Sequence, residues 1–585
     1  MSDRRTTDPV LIGNCSGFYG DRLSAFREML EGGPLDYLTG DYLAELTMLI
    51  LGRDTFKDPN LGYARTFVRQ CEDALGTALE KGVKVVTNAG GLNPAGLAEK
   101  LREVSTGLGL DVKIAHVEGD DLRAQAADLG FTGALTANAY LGGFGIAAAL
   151  NAGADVVVTG RVTDASVIVG PAAAHHGWTL EDHDAIAGAM VAGHVIECGT
   201  HATGGNFSGF LSLPKAARQQ KMGFPIAEIA ADGSSVITKH AGTGGAVTVD
   251  TVTAQLVYEI QSGLYLGPDA TADLTSIEVT QQGEDRAAIA QVSGQAPPET
   301  LKVCVNELGG FRNSMEFLIT GLDTDEKVAW IKEQVTEAWG DKAPATVVWS
   351  EGPPPVDDPA TMAEAATILR VMCLDADAKV AGKGFTAPAV EIALASYPGC
   401  TLVGPPAPAS PYGIYRPEYV SRDKVAHTVV HADGTREVVA DPTTYGTADV
   451  ADAGRTTASG TTAVTAGETV QLGRLVHARS GDKGGNANLG LWIPRDGGAE
   501  SDEKYAARVA WLLDFVTPEK VRELVPEAAD LDVDVYALPK LGAVNVVIHG
   551  LLGAGVAAST RVDPQAKALG EWVRSRHVTV EGGLL

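Results

Sequence analysis

The sequence predicts an α/β protein whose N-terminal part is a doubly wound parallel sheet. From residue 9 to about 212, short β-branched runs alternate with Ala- and Leu-rich stretches, which is the order of βαβ units. Runs that are apolar at every position are typical of strands buried on both faces. The chain has 585 residues, too many for one hydrophobic core, and the usual domain size of ~100 to 200 residues predicts about three domains.

The strands and helices of this first domain, residues 1–212, can be assigned one by one. Apolar runs predict strands at 10–13, 35–40, 83–87, 112–116, 134–136 and 156–159. Apolar residues at three- and four-residue intervals predict helices at 21–30, 62–81, 94–108 and 144–152.

The rest of the chain is predicted to form two further domains joined by a linker. Period-two alternation, as at 246–260 and 301–306, predicts strands in a mixed α+β domain over 213–440. Residues 441–469 are dominated by Thr, Ala, Gly and Asp and are predicted to be a linker. Residues 470–585 have a β-β-α-β-β-α order, with strands at 472–478, 486–492, 533–538 and 543–549 and helices at 502–516 and 564–576. This order predicts a small α+β (ferredoxin-like) domain.

The charge balance restricts the partners that we expect. Lys and Arg number 46 against 74 Asp and Glu, a net charge of −28, so the field of the protein repels nucleic acid and anionic lipid. We therefore expect no nucleic acid and no membrane partner. The six cysteines show no repeated spacing, and no apolar run resembles a signal or a membrane span, so we expect reduced thiols and a cytoplasmic protein. Many Ala, Gly, Val and Asp residues with few Lys suggest a bacterial source.

Polar residues follow the predicted strands, where the carboxyl ends of a parallel sheet form a ligand crevice. They are Asn14, Cys15, Ser16, Asp21, Asp41, Glu45, Asn88, Asn93, Asn138, Arg161 and Asp164. The sequence therefore predicts a polar ligand site at this edge of the sheet.

The segment 87–94 combines a strand end, a glycine-rich turn and a helix start. Asn93 is placed as an N-cap, with Pro94 at the first helical position. Gly90 and Gly91 could expose backbone N–H groups to a phosphate, a carboxylate or a thioester oxygen. The alternative is a tight βα turn that needs glycine and a cap. No dinucleotide or Walker fingerprint is present, and we expect no cofactor.

Two charged pairs near the crevice are open to a catalytic and a structural interpretation. Asp41 and Glu45 would share a face if a helix begins there, and they could act as acid and base. The alternative is a solvated first helical turn. Arg161 could hold a carboxylate bidentately, or it could form an internal ion pair with Asp164.

Two other segments are chemically suggestive. His194, Cys198 and His201 have nearly the spacing of a metal site, but a fourth ligand is not evident, and a helix that runs into the loop containing Asn206 explains the segment. We therefore expect no metal. The tail loop 478–486 carries two cations, a carboxylate and several glycines, and we interpret it as an anion-binding loop or a docking surface onto the larger body.

Several of these stretches resemble the acyclic terpene utilisation protein A (AtuA) family. The matching segments are 13–21, 36–47, 88–94, 137–142, 160–161, 193–199 and 204–207. The tail loop 479–484 resembles that of the small domain that accompanies many members. The resemblance implies a role in the degradation of citronellol and geraniol through acyl-CoA intermediates.

These observations lead to one main hypothesis and one alternative. The main hypothesis is an enzyme of branched-chain or isoprenoid acyl-CoA breakdown, of hydratase or lyase type, with Asp41 and Glu45 as acid and base and with Asn88 and the Gly90–Gly91 turn holding an oxyanion. The predicted substrate-binding residues are Asn14, Ser16, Gly90, Gly91, Asn93, Asn138, Arg161, Asp164 and Asn206. The alternative is a non-catalytic binding or scaffold subunit beside an acyl-CoA carboxylase. A homo-oligomer is expected in either case.

Overall fold

A computed structural model describes residues 8–446, 454–456, 467–495 and 501–585. The chain divides into two compact units by its contacts. One unit consists of Glu307–Ile414 with Ala557–Val562, and the other contains the rest of the chain. The boundaries at residues 212, 440 and 469 stay a prediction, and most of the linker predicted over 441–469 lies outside the described residues.

Residues 8–212 form six strands and seven helices within the larger unit. The strands are β1 (Val10–Asn14), β2 (Tyr37–Gly40), β3 (Lys84–Thr87), β4 (Ile114–Glu118), β5 (Ala134–Ala139) and β6 (Val156–Thr159). The helices are α1 (Ala25–Gly32), α2 (Glu45–Lys57), α3 (Arg65–Lys81), α4 (Pro94–Gly107), α5 (Phe144–Asn151), α6 (Ser166–His176) and α7 (His183–Ile196).

Five of these strands pair in parallel, in the order β1-β2-β3-β6-β4. Successive residues of a strand point to opposite faces of the sheet, and helices cover both faces. Val156 and Val158 pack in one cluster with residues of α1, α3 and α4, whereas Val157 packs in a second cluster with residues of α6 and α7. Burial on both faces explains why the strands are apolar throughout. The predicted α/β class is confirmed.

The middle of the chain contains helices and strands of mixed direction. The helices are α8 (Lys215–Gln219), α9 (Val249–Leu256), α10 (Thr324–Trp339) and α11 (Phe385–Glu391). The strands are β7 (Pro225–Ile229), β8 (Ser235–Lys239), β9 (Leu264–Leu266), β10 (Thr271–Asp273), β11 (Glu278–Gly283), β12 (Arg286–Ala290), β13 (Ser293–Gln295), β14 (Thr300–Thr320), β15 (Thr346–Glu351), β16 (Ala366–Asp375), β17 (Thr401–Leu402), β18 (Ser410–Ser421), β19 (Thr428–Val430) and β20 (Arg436–Val438).

Strands from this middle region extend both edges of the parallel centre. Strand β7 pairs antiparallel with β1 and continues through β8, β12 and β11, while β19 and β20 follow β4. The result is a sheet of eleven strands. In the smaller unit, β15 pairs with β16 and β16 pairs with β14, and Trp339, Trp349 and Phe385 pack in its core.

Two sequence predictions for these segments are wrong. The predicted fifth strand of the parallel sheet, β5, pairs instead with β14, and Asn306 Nδ2 of β14 donates to Thr136 Oγ1 of β5. The alternating segment 246–260 contains helix α9. Thr248 and Thr251 form a reciprocal capping box at the start of α9, a local stabilisation of the helix that outweighs the period-two pattern.

The C-terminal segment forms a small antiparallel sheet with helices. Its strands are β21 (Glu468–Gln471), β22 (His477–Lys483), β23 (Asn486–Trp492), β24 (Val533–Leu538), β25 (Ala543–Ile548) and β26 (His577–Val580), and its helices are α12 (Asp502–Phe515), α13 (Pro518–Leu524) and α14 (Leu569–Ser575). The main sheet has the order β22-β23-β25-β24. Among the described residues, no helix combines the length and apolar character needed to cross a membrane.

The predicted polar loop 478–486 is a β-hairpin and not a long loop. Strand β22 extends to Lys483, which pairs with Asn486 of β23. The two residues between them are Gly484 and Gly485, with Gly484 at a φ of 65°. A two-residue turn of this kind needs the left-handed backbone that glycine adopts without strain.

Candidate functional site

A cavity of about 220 Å³ lies beside the end of β6, between the parallel domain and the C-terminal hairpin. Asp164, which follows β6, lines it together with Tyr140, Glu259, Lys302 and Lys483. Its apolar wall consists of Ile260, Leu264, Leu266, Pro268, Pro298 and Leu301. A cavity with apolar walls and a few converging charged groups is the usual form of a small-molecule site.

Two lysines bring positive charge to this cavity. Lys302 comes from β14 and Lys483 from the last position of β22. Neither ammonium group forms a hydrogen bond or an ion pair with a residue that the structure describes. Burial lowers the pKa of Lys302. Burial also opposes the charge of Lys483, but Glu259 and Glu45 outweigh it and raise its pKa.

Arg161 lies behind the cavity in an internal ion pair. Its Nη1 donates to Asp164 Oδ1 at 2.8 Å and to the carbonyl of Leu43 at 3.2 Å. The guanidinium stacks on the ring of Tyr140, with 4.2 Å between its central carbon and the ring centroid. The structure therefore supports the alternative interpretation of Arg161 and Asp164 as an ion pair, although Asp164 still faces the cavity.

Asp41 is a buried carboxyl group held by Asn88. Asn88 Nδ2 donates to Asp41 Oδ1 at 2.6 Å, and Asn88 Oδ1 accepts from the backbone N–H of Tyr42 at 2.8 Å. Burial raises the pKa of Asp41 well above its ordinary value, and the negative charges of Asp164 and Glu197 raise it further. Burial and Asp164 also raise the pKa of Glu197. Both carboxyl groups therefore favour the protonated form.

Glu45 has the opposite electrostatic environment. Its Oε1 accepts a hydrogen bond from the Tyr140 hydroxyl at 2.9 Å. Burial alone would raise the pKa of Glu45, but the positive charges of Lys302 and Arg161 outweigh burial and lower it. The pKa values of Asp41 and Glu45 are thus shifted in opposite directions. The two residues do not share a helix face, because α2 begins only at Glu45.

Sequence reasoning did not identify Glu259 or Lys302 as site residues. Glu259 has a left-handed backbone with a φ of 55°, and Lys567 Nζ donates to its Oε1 at 3.0 Å. Burial would raise the pKa of Glu259, but Lys567 and Lys483 outweigh it and lower the pKa to about 2. No local pattern marks either residue, since each reaches the cavity through long-range packing.

The glycine-rich turn after β3 is engaged within the protein. The N–H groups of Gly91 and Asn93 donate to the carbonyls of Asn88 and Gly90, at 3.2 Å and 2.8 Å, and the N–H of Leu92 donates to Gly62 at 2.8 Å. Asn93 Oδ1 accepts from the N–H of Gly96 at 2.8 Å, which confirms the predicted N-cap of α4. This geometry supports the alternative of a capped βα turn.

Other predicted binding residues lie away from the cavity lining. Asn14 is fully buried, and its Nδ2 donates to the carbonyls of Ile196 and Glu197, both at 2.8 Å. Asn138 Nδ2 donates to Asp120 Oδ2 at 2.8 Å. These amides are engaged in buried hydrogen bonds within the protein. Two more predicted binding residues also lie outside the cavity lining. Ser16 Oγ donates to the carbonyl of Phe18 at 3.1 Å. Asn206 lines a separate cavity beside Arg479.

The histidine side chains of the segment 194–201 have separate partners and do not form a metal site. His194 packs against Tyr265, with ring centroids 4.8 Å apart, and burial lowers its pKa to about 4. His201 Nδ1 lies 2.7 Å from Arg479 Nη2. In the part of the chain that the structure describes, no three His, Cys, Asp or Glu side chains form a group that could hold a metal ion.

The C-terminal hairpin docks onto the larger body of its own chain. Arg479 is only 3% exposed, and its Nη1 donates to the carbonyl of Asn206 at 2.6 Å. Its guanidinium also stacks on the ring of Tyr258 at 4.2 Å. The predicted docking role of this segment is therefore confirmed within the chain, while Lys483 of the same hairpin reaches the cavity.

Comparison with known families gives one match for most of the chain and one for the C-terminal segment. A family model described as acyclic terpene utilisation family protein AtuA matches residues 10–431, and the AtuA ferredoxin-like domain matches residues 470–579. The chain belongs to the AtuA family. Membership implies a role in acyclic terpene utilisation, and the C-terminal segment is the ferredoxin-like domain of AtuA proteins. No curated protein and no solved structure matches the chain.

Proposed function

We propose that this AtuA protein is an acid–base enzyme, of hydratase or lyase type, that acts on a branched apolar acyl group carried as a thioester of coenzyme A. The observation that carries the proposal is the cavity, in which two lysines without an ion pair to any described residue face an apolar wall. An apolar wall suits a terpenoid chain, and unpaired ammonium groups suit negative charge on the ligand.

Two carboxyl groups outside the cavity lining support acid–base chemistry, and one of them, Glu45, is hydrogen-bonded to Tyr140 of the lining. Glu45 favours the ionised form and Asp41 the protonated form, so the two can serve as base and acid. We assign to Asn88 the orientation of Asp41, since its amide donates to that carboxyl group. The lysines at the cavity replace the Gly90–Gly91 turn as the groups that stabilise negative charge on a thioester oxygen.

The scaffold alternative receives less support. It predicts the acidic surface and the charged tail loop as docking faces, and the tail loop is used inside the chain, where Arg479 binds Asn206. Association with an acyl-CoA carboxylase and assembly into a homo-oligomer stay predictions.

Proton exchange tests the acid–base step by itself, whatever the complete reaction is. A base that removes a proton from the carbon beside the thioester carbonyl, followed by return of a proton from solvent, introduces deuterium in D₂O. We expect the protein to exchange this position of citronellyl-CoA, as measured by mass spectrometry. Glu45→Gln and Asp41→Asn should each slow exchange by roughly 10²- to 10⁴-fold, the usual contribution of acid–base catalysis.

The matched control is Glu72→Gln, which neutralises an exposed carboxylate on α3. It should exchange at the wild-type rate. Absence of exchange by the wild type, or full exchange by Glu45→Gln and Asp41→Asn alike, would exclude the proposed chemistry.

A further inference from the structure

The two lysines of the cavity differ in the contacts they already have. Lys302 Nζ lies 4.9 Å from the ring centroid of Tyr140 and 5.8 Å from that of Tyr415. Lys483 stacks on no ring among the described residues, and its ammonium makes no hydrogen bond or ion pair there. Lys483 is therefore the cation whose charge is least compensated by direct contact.

The backbone of Lys483 is held by its pairing with Asn486 in the β-hairpin, even though its ammonium group makes no hydrogen bond to a described residue. Two fully buried amides of the ferredoxin-like domain, Asn488 and Asn545, hold the segment that lines the cavity. Asn488 Oδ1 accepts from the N–H of Glu259 at 2.7 Å, and Asn545 Nδ2 donates to the carbonyl of Ile260 at 3.3 Å. A rigid backbone with a side chain left unpaired is the arrangement of a preorganised binding residue.

We infer that the ferredoxin-like domain forms part of the ligand site, with Lys483 binding the anionic oxygen of a carboxylate or a developing enolate. The inference rests on the proposed function and goes beyond it, because it assigns recognition of the ligand's charge to the C-terminal domain. Residues 10–431 alone would lack this cation.

A purely structural role for Lys483 predicts a different behaviour. Glu259, Glu45 and Asp164 all act on its charge, so Lys483 could serve only as their counter-charge. In that case its removal would lower the stability of the protein but would not change how the site distinguishes a charged ligand from a neutral one.

A matched pair of ligands separates the two roles. Citronellate and its primary amide, citronellamide, have the same apolar chain and differ in charge. We expect the full-length wild type to bind citronellate more tightly by roughly tenfold to a hundredfold in calorimetric titration, the effect of one charge-assisted hydrogen bond. Lys483→Met should lose this preference, and Lys483→Arg should retain it.

Two further variants make the outcome decisive. Lys302→Met should reduce the preference less than Lys483→Met does, and Lys215→Met, on the exposed surface of α8, should leave it unchanged. If Lys483→Met keeps the preference while Lys302→Met loses it, the inference is wrong and the proposed function stands. If the wild type binds neither ligand and exchanges no proton, the proposed function itself fails.

Discussion

Two glycine pairs in this AtuA protein look alike in sequence and have different roles in the structure. Gly90–Gly91 follows strand β3, and Gly484–Gly485 joins β22 to β23. In the first turn, the N–H of Gly91 and the carbonyl of Gly90 are both used within the turn. In the second, the glycines close a tight hairpin that places Lys483 at the cavity.

The comparison shows what a glycine pair can and cannot predict. It predicts a tight turn, because glycine adopts backbone conformations that other residues avoid. It does not predict whether the neighbouring groups face a ligand, because that depends on which distant segment packs beside the turn. Thr159 covers the first turn, whereas a cavity lies beside the second.

The largest expected effect tests the structural role of the first turn. In Gly90→Ala, the added Cβ would lie 2.4 Å from the carbonyl oxygen of Thr159 and 2.7 Å from Cα of Pro94. Both neighbours are backbone atoms that cannot move aside freely. We expect the free energy of unfolding, measured in urea, to fall by about 3 kcal/mol.

Gly107→Ala is the control for this substitution. Gly107 is the last residue of α4, and its added Cβ would meet nothing within 4 Å, so stability should be unchanged or slightly higher. If Gly90→Ala kept wild-type stability but lost proton exchange, the first turn would act on the ligand. The structural role that we assign to the first turn would then be wrong.

Local patterns are sufficient to predict most of the parallel domain. The sequence predicts helix α4 at 94–108, and the structure has it at Pro94–Gly107, with Asn93 as its cap. Apolar runs locate the parallel strands because such strands are buried on both faces. The predicted common helix face of Asp41 and Glu45 is wrong, because α2 begins only at Glu45, and their roles as acid and base stay a prediction.

The rest of the site depends on pairings that no short segment reveals. No sequence motif marks Lys302 or Glu259 as a site residue. They line the same cavity as Lys483 only because the ferredoxin-like domain packs beside them. The prediction for strand β5 is wrong for the same reason, because its partner β14 lies far along the chain. The long-range partner, and not the local pattern, decides these positions.

The second expected effect measures how far the charge of the hairpin reaches into the parallel domain. Burial and then Lys483 lower the pKa of His194 from 6.5 to about 4. As the pH falls, the unfolded chain therefore binds a proton on His194 near pH 6.5, whereas the folded protein binds it only near pH 4. The stability that neutral His194 contributes is complete above pH 6.5 and is lost as the pH falls toward 4, by about 1.4 kcal/mol per pH unit.

Urea unfolding at several pH values tests this expectation. His194→Gln should remove that part of the slope, and the exposed His577→Gln should not. Lys483→Met should narrow the window by raising its lower limit, because one of the causes that lower the pKa of folded His194 is gone. An identical slope in the wild type and His194→Gln would show that the folded protein binds this proton as readily as the unfolded chain.

The smallest expected effect compares two glycines with the same backbone strain at different distances from the site. Gly484 and Gly82 have φ values of 65° and 71°, so the backbone strain of alanine at either position should cost about 1 kcal/mol of unfolding free energy, to which the contact with Tyr415 adds at Gly484. Gly82 follows α3, with nothing within 4 Å of an added Cβ, whereas at Gly484 that Cβ would lie 2.8 Å from Cε1 of Tyr415.

Since the strain at Gly484 is next to Lys483, we expect Gly484→Ala to weaken citronellate binding several-fold and Gly82→Ala to leave it unchanged, as measured by calorimetric titration. Equal citronellate affinities in the two variants would mean that the ligand does not depend on the position of the hairpin.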